Sequence, residues 1–305
     1  MFLNSEQTPY RGSIFYMMFF WQRTTTALCL FSASLVGVLD AFKLFPEWIT
    51  FPSFPLAVVG GALGIFVSFR TNSAYQRWWE GRKLWGRMIN TSRHLCTQSI
   101  TYLPQEQAVE SVHRHIAYVH VLRCGLRDQD SFQDERVLSA MQAEEKTNLV
   151  GSTNLNHALL NKQMGLYSGL NKDGTINNFE MQSLDESIRH LLDIQGGCER
   201  IKKTPFPPIY GFLATRLTQL YAVVLPIALV HDIGLWVVPV NLVICMAFQL
   251  INEVGRVLEN PFTNNWPALP LSAMSITIER NLRQALKEKN LPEPQQRLKK
   301  FAVLM

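Results

Sequence analysis

The sequence predicts an all-α membrane protein whose subunit has four transmembrane helices and a helical region outside the bilayer. Only 17% of the 305 residues are charged, whereas an average soluble protein has about a quarter. The charges are also unevenly placed, because residues 24–69 and 207–251 hold very few of them. Apolar residues segregated into two such blocks are typical of a membrane protein rather than of one large soluble core.

Each apolar block contains two stretches that are long enough to cross a bilayer. A hydrocarbon core about 30 Å thick requires about 20 helical residues. The first block gives Thr24–Phe45 and Phe51–Phe69, and the second gives Pro208–Val230 and Gly234–Ile251. The second and fourth stretches contain no charge, whereas Arg216 interrupts the third.

Basic residues flank these stretches asymmetrically. Six lie within 70–93 and three within 200–203, whereas the short connections inside each block carry almost none. The positive-inside rule therefore places both termini and the middle segment in the cytoplasm. The predicted segments are a cytosolic N-terminal segment (1–23), transmembrane helices 1 and 2 (24–69), a cytosolic helical region (70–206), transmembrane helices 3 and 4 (207–251) and a cytosolic C-terminal segment (252–305).

Within the middle segment, apolar residues recur at helical spacing over 76–97 and 105–127. The stretch 151–178 is rich in Asn, Gly, Ser and Thr, which predicts a loop. Helix is expected to resume at Leu184–Cys198 and to end at Gly196 and Gly197.

The second transmembrane stretch carries the most informative pattern. Gly60, Gly61 and Gly64 allow another backbone to approach closely. Gly61, Ile65 and Phe69 recur every four residues and so form one stripe along a helix. The stripe either packs against another helix, or copies of it from several subunits surround an axis and form an apolar constriction. Periodicity does not choose between these two interpretations.

The residues that follow this stripe also have two interpretations. The charged, aromatic helix that begins at Arg70 can be an interfacial anchor, because Trp and Arg favour that depth. Alternatively, Arg70, Thr71 and Asn72 line a vestibule where they meet passing ions.

Several residues inside the spans need polar partners or water, which the hydrocarbon of a bilayer does not supply. Pro226 and Pro239 release backbone carbonyl groups that must find other partners. Arg216, Asn241 and Asp40 are polar groups at or near membrane depth, where such groups face a bundle interior or an aqueous path.

The sequence contains no pattern that predicts an enzyme, a cofactor or a metal site. His113 and His115 point apart on a helix, and there is no glycine-rich phosphate loop, nucleophile elbow or His-Glu-x-x-His motif. The five cysteines are widely spaced and are expected to be reduced thiols. The net charge of +5 is spread out, which favours an anionic lipid leaflet over nucleic acid as a partner.

Four stretches together resemble the bestrophin family, and specifically its bacterial branch. They are GIFVSFRTNSAYQRWWEGRKLWG at 64–86, GGCERIKKTPFP at 196–207, LENPF at 258–262 and LPLSAMSITIERNL at 269–282. The resemblance implies a homopentameric channel in the cell inner (plasma) membrane, with its pore on the five-fold axis.

On this resemblance, the second helix lines the pore neck with Gly61, Ile65 and Phe69. The family neck usually has three bulky apolar residues, so Gly61 implies a neck that is shorter or wider at its outer end. The cytosolic aperture of the family corresponds to Phe179, with Ile176 as the alternative.

Animal bestrophins hold calcium with an acidic run after the Asn-Pro-Phe motif. Here that run is Thr263, Asn264 and Asn265, which lack the carboxylates that calcium prefers, so calcium activation is not expected.

The expected function is passive conduction of ions, with chloride and other anions favoured. The basic flank, the helix N-termini and the lack of an acidic ring beside the neck favour anions. Conduction of monovalent cations such as sodium is the alternative. A secondary transporter and a membrane-anchored interaction protein that does not conduct are the competing classes.

Overall fold

The computed structural model describes residues 23–46, 49, 52–264 and 268–295, and every regular element in these residues is helical. The predicted all-α class is therefore confirmed for this part of the chain. The predicted N-terminal segment 1–23 lies outside the described residues except for Arg23, and so does 296–305 at the C-terminal end.

The helices fall into two compact units. The first unit comprises Met1–Arg77 with Pro205–Glu259, and the second comprises Trp78–Thr204 with Asn260–Met305. In chain order the α-helices are α1 (Arg23–Ala41), α2 (Ser53–Tyr102), α3 (Gln105–Leu126), α4 (Glu135–Ala140), α5 (Ala143–Asn148), α6 (Leu155–Lys172), α7 (Asn178–Lys203), α8 (Pro208–Ile233), α9 (Val237–Leu258) and α10 (Leu271–Ala285).

Three stretches of the described chain are long and apolar enough to cross a bilayer. They are Arg23–Ala41, the apolar part of Ser53–Tyr102, and Pro208–Leu258. The last stretch contains both α8 and α9, which the 3-10 turn Gly234–Trp236 separates. The helices differ from the predicted stretches mainly at their ends, because α1 stops at Ala41 and α2 continues without a break far beyond Phe69.

In the first unit α1, α8 and α9 pack against one another. They meet around a main-chain carbonyl of α8 that lacks its helical hydrogen bond. Pro226 has no N–H group, which leaves the carbonyl of Ala222 without its helical partner. That carbonyl accepts hydrogen bonds from Asn241 Nδ2 at 3.0 Å and from Ser32 Oγ at 3.0 Å. The prediction for Pro239 is wrong, because this residue lies in the first turn of α9, where no N–H group is needed.

The second unit shows that the loop predicted over 151–178 is wrong. Most of it is α6, which begins after Asn154, whose Oδ1 accepts a hydrogen bond from the N–H of His157 at 3.0 Å. Leu159 and Tyr167 are fully buried in the core of the unit. Burial of this apolar face outweighs the weak helix propensity of the Asn, Gly and Ser residues around it.

Helix α7 also runs through the predicted stop at Gly196 and Gly197 and ends at Lys203. A Cβ atom at Gly197 would lie 2.8 Å from a side-chain carbon of Leu84, whereas one at Gly196 would meet nothing within 4 Å. Gly197 is therefore required for close packing and not for helix termination.

Gly197→Ala should destabilise the protein by about 1–3 kcal/mol, because the added methyl group overpacks the contact with buried Leu84. Gly196→Ala is the matched control and should be neutral or stabilising by up to about 1 kcal/mol, since alanine favours a helix interior. Thermal unfolding of the purified variants in detergent measures the difference. Equal melting temperatures would contradict this account of Gly197.

Candidate functional site

The membrane part of α2 has one face packed against its own unit. Leu63 and Val67 are buried on this face, in a cluster with Tyr221 and Leu225 of α8. A Cβ atom at Gly60 would lie 2.5 Å from the hydroxyl oxygen of Tyr221, so only glycine permits this approach. This face is fixed by packing.

The predicted stripe lies on the other face. Gly60 and Phe69 are nine residues apart, which is about 2.5 helical turns, so they point to opposite sides. Ile65 is 60% exposed and Phe69 is 68% exposed. A Cβ atom at Gly61 would meet nothing within 4 Å. Among the described residues, therefore, no helix of the same subunit covers the stripe, and the interpretation that it packs within its own subunit does not hold.

The exposed face extends beyond the three predicted residues in both directions. Phe54 and Val58 continue it towards the start of α2. Asn72 and Gln76 continue it the other way, with exposed amide side chains. Along this line the surface changes from apolar to polar without an exposed charge between residues 54 and 76.

Arg70 does not stand in the predicted vestibule. Its side chain is buried, Nη1 donates to the main-chain oxygen of Asn252 at 3.0 Å and also to the Asn252 side chain, and Nη2 forms an ion pair with Glu259. A buried guanidinium needs a counter-charge and hydrogen-bond acceptors, and the end of α9 supplies both. This prediction is corrected: Arg70 anchors α2 to α9.

Thr71 and Asn72, which follow Arg70, are less buried than Arg70. The Thr71 hydroxyl lies 2.9 Å from the carbonyl oxygen of Ile251 and 3.0 Å from that of Val67, and it adds a second tie to α9. Of the three predicted vestibule residues, Asn72 alone is exposed. It continues the stripe of Phe69.

Glu259 connects to two arginines of α2, although the sequence predicted no role for it. Its main-chain oxygen accepts a hydrogen bond from Arg77 Nε at 2.7 Å, in addition to the ion pair of its carboxylate with Arg70. Burial lowers the pKa of Arg77, and the charge of Glu259 opposes this shift. A buried arginine needs a carboxylate partner, and this rule could have drawn attention to Glu259. The spacing of the sequence, however, does not show which arginine is buried.

The two predicted aperture residues lie in the second unit and have different environments. Ile176 is 1% exposed and belongs to the hydrophobic core of that unit. Phe179 is 84% exposed, and its N–H donates to Oδ1 of the capping residue Asn177 at 2.9 Å. Of the two, only Phe179 has an exposed side chain, whereas Ile176 would have to leave the core to line an aperture.

The polar groups predicted at membrane depth also differ. Asp40 and His231 lie 3.3 Å apart near the ends of α1 and α8. Asn241 is buried at the carbonyl of Ala222, as described above. Arg216 is exposed, and its Nη1 donates to Gln219 Oε1 at 2.9 Å.

The residues described by the structure include no group of three His, Cys, Asp or Glu side chains that could hold a metal ion. Of the run that corresponds to the animal calcium clasp, Thr263 and Asn264 are described, and Asn265 lies outside the described residues. The Thr263 hydroxyl donates to the carbonyl of Asn260 at 3.4 Å.

Helices long and apolar enough to cross a bilayer, with an open apolar stripe on one of them, define the class of helical membrane proteins. The family follows from comparison: residues 10–284 match the family model described as Bacterial/Fungal Bestrophin protein. The chain belongs to this bestrophin family, so the predicted family is confirmed.

The chain is similar over most of its length to anion channel-forming proteins of other bacteria. The voltage-dependent anion channel-forming protein YneE of Salmonella typhi is 31% identical over 285 residues, which are 90% of this chain and 92% of the relative. The voltage-dependent anion channel-forming protein RSc3414 of Ralstonia nicotianae is 30% identical over 268 residues, which are 86% of each chain.

Solved structures show the same fold. A crystal structure of a variant of the bacterial bestrophin homologue from Klebsiella pneumoniae matches with a TM-score of 0.83 and 26% identity, and it covers 91% of this chain and 100% of that chain. A second variant of that homologue matches with a TM-score of 0.80 and 27% identity over 86% of this chain and 97% of that chain. The bestrophin-like fold is therefore confirmed.

Glu259→Gln should destabilise the protein by about 1–3 kcal/mol, because it leaves the buried charge of Arg70 without its carboxylate. The matched control is Glu186→Gln, which removes a carboxylate from the solvent-exposed pair with Arg189 and should change stability by less than about 1 kcal/mol. Thermal unfolding in detergent compares the two. A melting temperature for Glu259→Gln equal to that of the control would refute the anchoring role.

Proposed function

We propose that this protein forms a homopentameric channel of the bacterial inner membrane that conducts anions passively. The observation that carries the proposal is the exposed stripe of Gly61, Ile65 and Phe69 on a helix whose opposite face is fixed to its own subunit. Membership of the bestrophin family supports the same assembly.

The stripe is better suited to a pore than to lipid contact. Lipid would suit Ile65 and Phe69, but the same line of exposed residues continues through Asn72 and Gln76. Such amides favour water over hydrocarbon. If copies of α2 surround a common axis, Ile65 and Phe69 line a narrow neck. Asn72 and Gln76 then line a wider, water-filled vestibule.

In this proposal Ile65 and Phe69 control conduction by excluding water. A ring of apolar side chains forms a constriction that is closed by dewetting and opens when it widens. Gly61 adds no side chain, so its level would be wider than the two below it. At the other end of the path, Phe179 is proposed to form the cytosolic aperture, because its aromatic ring is exposed.

The charges along the predicted path favour anions. Within residues 70–93 there are six basic residues and one acidic residue, Glu80. Arg70 contributes less than its position suggests, since Glu259 neutralises it. Arg82, Lys83 and Arg87 are exposed. The names of the relatives, which are described as anion channel-forming, support the same ion sign.

We propose four transmembrane helices for each subunit, formed by α1, the beginning of α2, α8 and α9. The 3-10 turn at Gly234–Trp236 separates α8 from α9 and lets each cross the bilayer separately. The basic residues that flank the spans favour cytoplasmic termini and a cytoplasmic second unit.

Phe69→Ala and Ile65→Ala should each raise the single-channel conductance in planar bilayers severalfold, because the neck becomes wider and easier to wet. Phe31→Ala is the matched control, since Phe31 lies on α1 with 67% exposure against 68% for Phe69. The control should leave conductance unchanged. Unchanged conductance in both neck variants would count against the pore assignment, and no current from any form would favour an interaction protein.

The reversal potential in asymmetric NaCl should approach the equilibrium potential of chloride, because the exposed basic residues Arg82, Lys83 and Arg87 enrich anions along the path. Current recordings from purified protein in planar bilayers measure it, and cross-linking with mass determination checks the five-subunit assembly. A reversal potential near that of sodium would overturn the anion assignment but leave the channel in place.

A further inference from the structure

An open cavity in the first unit has no role in the proposed pore. It has a volume of about 630 Å³, within the roughly 300–1,000 Å³ typical of small-molecule sites. Its lining comes from the beginnings of α1 and α8, the end of α9 and residue 70 of α2. All of these positions lie at the same end of the apolar segments as the basic flanks.

The cavity is positively charged. Its lining includes Arg70, Arg216 and Arg256, against the single carboxylate of Glu259. Arg70 and Glu259 form an ion pair, and Arg256 pairs with Glu253, which lies outside the lining. The positive charge that remains to be balanced is that of Arg216.

Arg216 is the least expected residue in the cavity. It lies in an apolar span, yet its contacts are a neutral amide, Gln219 Oε1 at 2.9 Å, and the ring of Phe212 at 5.2 Å. No carboxylate of the described residues lies within ion-pair distance of it. A charged side chain at membrane depth is costly unless it reaches the interface or meets an opposite charge. Arg216 can do both in this cavity.

Two further groups adjoin the cavity. Arg70 is buried, and its Nε is a buried nitrogen with no hydrogen-bond partner, although Arg70 lines the cavity. The guanidinium lies beside the first turn of α8, since a Cβ atom at Gly211 would be 3.1 Å from Arg70 Nη2. The start of α8 has no side-chain cap, so its dipole adds positive potential.

A cluster of aromatic rings lies beside the residues that line the cavity, at the start of α8. Tyr210 in the first turn of α8 lies 5.5 Å from the ring of Phe206 and 6.2 Å from that of Phe66. Tyrosine is enriched at the boundary between hydrocarbon and water, so Tyr210 favours that depth for the start of α8. An anion that reaches this cavity from the bilayer would be the phosphate group of a phospholipid.

We propose that this cavity binds the phosphate headgroup of an anionic phospholipid, with Arg216 as the principal contact and Arg70 Nε and the start of α8 as further donors. Because Arg70 follows Phe69 directly in α2, the bound lipid lies behind the neck and contributes to fixing its position. The inference rests on the membrane embedding of α8 and not on ion conduction.

Native mass spectrometry of the full-length protein in detergent, with added phosphatidylglycerol or phosphatidylcholine, tests the proposal. Wild-type protein should retain phosphatidylglycerol in preference to phosphatidylcholine. Arg216→Gln should lower the retained fraction about tenfold, the effect of one lost charge-assisted hydrogen bond. Gln219→Glu should do the same by giving Arg216 an internal carboxylate. Arg216→Lys should keep most of the retention.

The matched control is Arg189→Gln, which removes an exposed positive charge from the second unit and should leave retention unchanged. Unfolding temperatures identify a variant that has misfolded. Equal retention by the wild type, Arg216→Gln and Gln219→Glu would overturn the proposal. So would equal retention of the two lipids by the wild type, or displacement of phosphatidylglycerol by excess inorganic phosphate, which would assign the site to a free anion.

Discussion

The separation of α2 into a fixed face and an open face is the constraint on which the functional geometry depends. On the fixed face, the absence of a side chain at Gly60 lets the ring of Tyr221 approach, and Arg70 is tied to the end of α9 through Asn252 and Glu259. These contacts lie at two levels of the helix, so they determine its rotation as well as its position. In this rotation Ile65 and Phe69 remain exposed, while Leu63 and Val67 are buried within the subunit.

The interior of the first unit follows the rule that backbone polar groups within a bilayer must be satisfied by protein. Pro226 in α8 frees one carbonyl, and side chains from α1 and α9 both donate hydrogen bonds to it. The three helices are thereby joined at one point. Arg216 is different, because a neutral amide and an aromatic ring provide no counter-charge. Among the described residues no carboxylate balances this charge, which is why we propose a lipid phosphate as its partner.

The errors in the sequence interpretation have one physical origin. The stretch 151–178 and the glycines at 196–197 were interpreted from local propensity, and Arg70 was assigned to the pore from its place next to Phe69. In each case tertiary packing prevailed: the apolar side of α6 is buried, Gly197 gives room to Leu84, and Arg70 turns to a carboxylate 189 residues away. Local propensities are worth tenths of a kcal/mol for each residue, about an order of magnitude less than burial of a large side chain.

The sequence by itself determined the helical class, the approximate positions of the membrane stretches and the stripe of Gly61, Ile65 and Phe69. These follow from hydropathy and helical periodicity, which are properties of neighbouring residues. Only the tertiary structure decided that this stripe is open while Gly60 is covered, that Arg70 is an anchor, and that Phe179 rather than Ile176 is exposed. Those outcomes depend on which distant side chains meet, and a repeat along one helix contains no information about what lies opposite it.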